Sequence, residues 1–66
     1  MAILKVIEVL ANSSKSWEEA TQNAVEQASK TVKNIRSVYV QEQSATVKGG
    51  KVDDYRVNVK ITFEVS

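Results

Sequence analysis

The groups able to do chemistry in this 66-residue chain are carboxylates, lysines, arginines, hydroxyls and amides, because it contains no His and no Cys. Without His the commonest general base and the commonest transition-metal ligand are missing. Without Cys there is no thiolate nucleophile, no disulfide and no Cys-ligated zinc or iron–sulfur cluster. Lys–carboxylate or Ser–Lys arrangements are compatible with the composition, but no spacing points to one. Pro is also absent and Ala2 follows Met1, so an N-terminal Pro base does not exist here. Gly49-Gly50 sits between two alternating segments and reads as a hairpin turn, not as a strand-to-helix phosphate cradle. The chain is therefore expected to be non-enzymatic.

The remaining candidates are for binding. Hard cations take oxygen ligands, so carboxylates are the strongest metal ligands on offer. Glu42 is the candidate: in a tight-hairpin register it shares a face with Val38 and Val40, the side a helix would cover. A carboxylate buried there without a partner costs several kcal/mol. Glu42 is then either a solvated or salt-bridged residue beyond the helix, or a cation or water ligand where several subunits converge on a symmetry axis. On the opposite, polar face the same register sets Gln43 beside Arg56, Gln41 beside Asn58 and Tyr39 beside Lys60. Arg56 and Gln43 either bind an anionic or amide-bearing ligand or form an ordinary cross-strand pair. Tyr39 either stacks on a planar ligand or fills a subunit contact. Trp17 opens the apolar stripe of a helix, where packing is the expected role. Nucleic acid would need clustered Lys/Arg interleaved with aromatics. Lys48 and Lys51 come nearest, but Asp53 and Asp54 offset them and the net charge is only +1.

The elements that position these residues follow from periodicity. Residues 3–10 are too short and too rich in Ile and Val for a helix and read as a strand with two apolar faces. Residues 12–16 read as a polar loop ending in a capping box, Ser16 to Glu19. Trp17, Ala20, Ala24, Ala28 and Val32 then recur at helical spacing and predict a helix over 17–33. Alternating strands are expected over 35–47 and 52–65, joined by Lys48-Gly49-Gly50-Lys51, with a bulge near Asp53-Asp54 able to shift their register. The order β-α-β-β makes an α+β fold. Its three-stranded antiparallel sheet is ordered 1-3-2 and packed around one helix, as a single domain over 1–66. A domain this small hides only about 60% of its unfolded surface. With no staple available, self-association is expected. No apolar run reaches the length of a membrane span, and no targeting signal is legible, so the cytoplasm is the expected location.

The residues also resemble a known family. K-V-I-E at 5–8, S-W-E-E-A at 16–20, N-I-R at 34–36, E-Q at 42–43 and Y-x-V-x-V-x-x-x-F at 55–63 together resemble a dodecin over essentially the whole chain. The resemblance implies the same β-α-β-β subunit, a hollow homododecamer of cubic symmetry, and a non-enzymatic role binding and storing flavins (riboflavin, FMN, FAD). Two positions depart from it. Flavin-binding dodecins carry a Trp after the N-I-R segment, where paired rings sandwich the stacked flavins; this chain has Ser37. They carry a Gln after the third-strand Tyr; this chain has Arg56, a donor with no acceptor. Aromatic stacking adds roughly 0.5–1.5 kcal/mol per pair beyond area burial, so its loss weakens flavin binding. A Trp-less branch of calcium dodecins is similar in these departures. Three readings stay open: a cage with another ligand such as calcium, a flavin binder using Tyr39, and an assembly with no ligand.

Overall fold

The structure, a computed structural model, describes residues 2–65. Its elements are β1 (Leu4–Ser13), α1 (Trp17–Ser29), β2 (Ile35–Lys48) and β3 (Lys51–Glu64). The sheet runs β1-β3-β2 with both ladders antiparallel. The expected α+β topology and strand order are therefore present.

β1 extends past the expected end at residue 10. Ala11, Asn12 and Ser13 continue the ladder opposite Val57, Arg56 and Tyr55. The polar pair stays in the strand because each side chain has a use there. Asn12 Oδ1 accepts from Arg56 Nε at 3.1 Å. Ser13 is 6% exposed, and its hydroxyl donates to the Glu19 carboxylate while accepting from the Lys15 and Ser16 backbone N–H groups at 2.9 and 3.4 Å. The capping box is thus only half as expected. Ser16 Oγ does accept from the Glu19 N–H at 3.0 Å, but the Glu19 carboxylate goes to Ser13 and not back to Ser16.

α1 ends at Ser29, four residues before the expected residue 33. Beyond it the chain tightens, with the Thr31 and Val32 N–H groups both donating to Ala28 O at 3.1 and 2.8 Å. Asn34 at φ 61° then turns the backbone into β2. Ala20, Ala24 and Ala28 face Val57, Val59 and Ile61, and these six form the buried core among the described residues. Ala20, Val57, Val59 and Ile61 are 0% exposed. A stripe of methyl groups lets the helix lie close to the sheet.

The hairpin turn is as read, with Gly49 and Gly50 at φ 60° and 76°, both in the region that a two-residue turn of this type demands. The ladder beyond it differs from the uninterrupted register. Lys48 pairs Lys51 and Val47 pairs Val52, but Thr46 pairs Asp54, leaving Asp53 as an extra residue in β3. A second irregularity lets Gln41 stand out of β2, so Glu42 pairs Asn58 while Val40 pairs Val59; a third does the same with Arg36. The first two offset one another. Val40–Val59, Val38–Ile61 and Tyr39–Lys60 therefore pair as expected, and the residues moved are those between the first two bulges and Ile35 beyond the third.

Candidate functional site

Side-chain direction reverses with each residue of a strand, so a one-residue shift exchanges the two faces. That is what the Gln41 bulge does to Glu42. The expectation that Glu42 lies on the helix-covered face is corrected: it sits opposite Asn58 on the open face of the sheet, exposed, and accepts from Asn58 Nδ2 at 3.4 Å. The same shift replaces Gln43 by Ser44 as the residue opposite Arg56, and Gln43 instead pairs Val57. Gln41 is likewise removed from the Asn58 position that the uninterrupted register would give it.

On the open face the cross-strand rows are Leu10–Asn58–Glu42 and, next to it, Asn12–Arg56–Ser44. Between them lies a cavity of about 270 Å³ lined by Leu10, Glu42, Gln43, Ser44, Arg56 and Asn58. Three of the five residues singled out from the sequence (Glu42, Gln43 and Arg56) therefore meet at one cavity. Tyr39 and Ser37 share the face but not the lining. Tyr39 is 65% exposed opposite Lys60, one row away, and Ser37 is exposed opposite Thr62, a further row on.

Asn58 commits its Nδ2 to Glu42, which leaves Oδ1 buried with no hydrogen-bond partner among the described residues. A buried acceptor left unpaired costs about 1–3 kcal/mol. Arg56 has its Nε fixed by Asn12. Although Glu42 and Arg56 are diagonal neighbours of opposite charge, they form no ion pair; the pairs among the described residues are Lys15–Glu19 at 4.0 Å and Arg36–Glu64 at 3.1 Å. Trp17 lies nearby at the start of α1. Its Nε1–H donates to Ser44 O at 2.9 Å and its ring meets Tyr55 edge-on, centroids 4.9 Å apart. The packing role expected of Trp17 is what this geometry provides. Asn58, Ser44 and Leu10 were not singled out from the sequence as ligand residues. The legible signal for Asn58 was its place two residues from Arg56 on an alternating strand.

The oxygens here suit a hard cation in kind but not in number. Four lining side chains bear oxygen, Glu42, Gln43, Ser44 and Asn58, and only Glu42 carries negative charge, whereas calcium takes six to eight oxygens. Among the described residues no three acidic side chains converge, and the Arg56 guanidinium lines the same cavity. One chain by itself does not make a calcium site.

The dodecin family model matches residues 3–66, and the chain belongs to that family. It is 34% identical over 65 residues to the calcium dodecin of Mycobacterium tuberculosis, covering 98% of this chain and 92% of that protein. The crystal structure of that protein, described as a calcium-chelating antigen with a novel calcium-binding site, matches at TM-score 0.83 and 35% identity over 97% of this chain and 91% of that one. A dodecin from T. thermophilus matches at TM-score 0.94 and 26% identity, covering 100% of this chain and 98% of that chain. The dodecin of Streptomyces coelicolor matches at TM-score 0.94 and 26% identity, covering 98% and 93%. Sequence likeness is thus greater to the calcium dodecin and backbone likeness greater to the other two. No helix among the described residues is long and apolar enough to cross a membrane.

Proposed function

We propose that this protein is a non-enzymatic, small-ligand binding and storage dodecin that assembles as a hollow homododecamer and has lost the flavin sandwich. The observation that carries this reading is the open sheet face. It presents Ser37 where a stacking ring would be needed, yet gathers Glu42, Asn58 and Arg56 around a cavity. Binding a flavin pair by stacking needs an aromatic surface on both sides. Tyr39 is the one aromatic side chain exposed on that face among the described residues, and it lies outside the cavity lining. Ligand recognition is accordingly polar and charged, and flavin affinity is weak or absent. Self-association has its own support: Leu4 and Val6, outside the cavity lining, are 53% and 56% exposed on one face of an edge strand.

A second reading, that calcium is the ligand, is favoured by the likeness to the calcium dodecin. It requires Glu42 carboxylates of several copies to converge, because one chain supplies too few oxygens.

Native mass spectrometry of the purified protein tests the assembly, with twelve copies expected and a monomer overturning it. Unquenched riboflavin fluorescence at micromolar protein is expected, and strong quenching would restore the flavin reading with Tyr39 as its aromatic. Calcium calorimetry on wild type and Glu42→Ala decides the second reading, which requires binding that the substitution abolishes.

A further inference from the structure

The walls of the cavity carry opposite charges that do not neutralise one another. Glu42 accepts from Asn58, Arg56 Nε donates to Asn12, and no ion pair joins Glu42 to Arg56 among the described residues. Beside Glu42, Asn58 Oδ1 is a buried acceptor without a donor. The Glu42 side therefore calls for N–H groups and the Arg56 side for an anion. The third wall is Leu10, an apolar side chain left 66% exposed. The space between them, about 270 Å³, lies just under the roughly 300–1,000 Å³ of pockets for drug-sized ligands.

Ligands of a single charge meet a penalty on one wall. A bare metal ion faces the guanidinium, and a simple anion faces the carboxylate. Both charges on one small molecule satisfy both walls at once and hold the buried Asn58 oxygen as well. From this, and resting on the reading that the open face binds a small ligand without a flavin sandwich, we infer that the cavity binds a zwitterionic amino acid with an aliphatic side chain. Its ammonium group lies against Glu42 and Asn58 Oδ1, its carboxylate against Arg56, and its side chain against Leu10. Charge-assisted hydrogen bonds at both ends select for the dipolar molecule over either half of it.

Three probes of one carbon skeleton test this by calorimetry on the assembled protein: L-leucine, isoamylamine, which lacks the carboxylate, and isocaproate, which lacks the ammonium. Leucine is expected to bind about tenfold or more tighter than either analogue, since each loses a charged hydrogen-bonded contact. Glu42→Gln is expected to weaken leucine and isoamylamine but not isocaproate, and Arg56→Gln to weaken leucine and isocaproate but not isoamylamine. Glu42→Gln keeps the side-chain shape and Arg56→Gln shortens it, both fall on exposed residues, and native mass spectrometry of each variant verifies that the assembly is intact. Equal binding of leucine and isoamylamine, or no heat from any of the three with assembled protein, overturns the inference. Riboflavin added to the same samples separates the two levels. Quenching overturns the flavin-free reading itself, whereas absent quenching together with absent leucine binding overturns only the amino-acid assignment.

Discussion

Ser13 does more for the fold than its size suggests. It is buried, and one hydroxyl serves three groups: the Lys15 and Ser16 backbone N–H groups and the Glu19 carboxylate. Ser13→Ala leaves these without their shared partner at the junction of β1 and α1. The expected loss is about 1–3 kcal/mol by urea denaturation at fixed protein concentration, the cost of orphaning a buried hydrogen-bonding group. Ser16→Ala removes one cap bond, to the Glu19 N–H, and is expected to cost about 0.5–2 kcal/mol in the same assay. Because Ser13 also holds the Ser16 N–H, the two losses are not independent, and the double variant is expected to lose less than their sum. The helix start was legible from Ser16 and Glu19. The redirection of Glu19 was not, because it depends on Ser13 being carried into the sheet by a strand three residues longer than its apolar run.

At the scale of elements, the close approach of α1 to the sheet rests on alanines. Ala24 is 1% exposed, so Ala24→Leu must push the helix away from Val57, Val59 and Ile61, at about 1–3 kcal/mol in urea denaturation. The hairpin gives a cleaner case. A Cβ at Gly50 would meet nothing within 4 Å, so any penalty there comes from its φ of 76° alone. Gly50→Val is expected to lower stability by about 1–2 kcal/mol, and Gly50→Asn by clearly less, in thermal melts. Both features were readable: the helix from Ala spacing, the turn from a Gly pair between alternating segments. The bulges at Arg36 and Gln41 were not, since neither carries a Gly or any other marker and each is fixed by which neighbours need burial. Only the one at Asp53 had a visible cue, two adjacent acids where alternation should continue. That difference decides the site. Arg56 follows from alternation alone, whereas the face of Glu42 follows from a bulge the alternation hides.

The molecule as a whole is long and thin, 51 × 20 × 13 Å, with a radius of gyration of 13.5 Å. A compact domain of this length would have about 10.8 Å. Six buried residues make up its core among the described residues, three of them Ala. A chain of that shape gains stability by covering the Leu4 and Val6 end of its open sheet face with copies of itself, so its melting temperature is expected to rise with protein concentration. Val6→Lys, placed outside the cavity lining on the exposed face of β1, tests the contact. It is expected to shift native mass spectra toward smaller species and to remove that concentration dependence. An unchanged subunit number would show that β1 is not where copies meet.

The single Trp of the chain has a practical consequence. Its indole N–H is anchored to the carbonyl of Ser44, a residue of the cavity wall, and its ring borders Tyr55. The protein thus carries a built-in optical gauge of that wall. Any occupant that displaces the β2 backbone at Ser44 alters the polarity felt by the indole, and its emission changes without an attached dye.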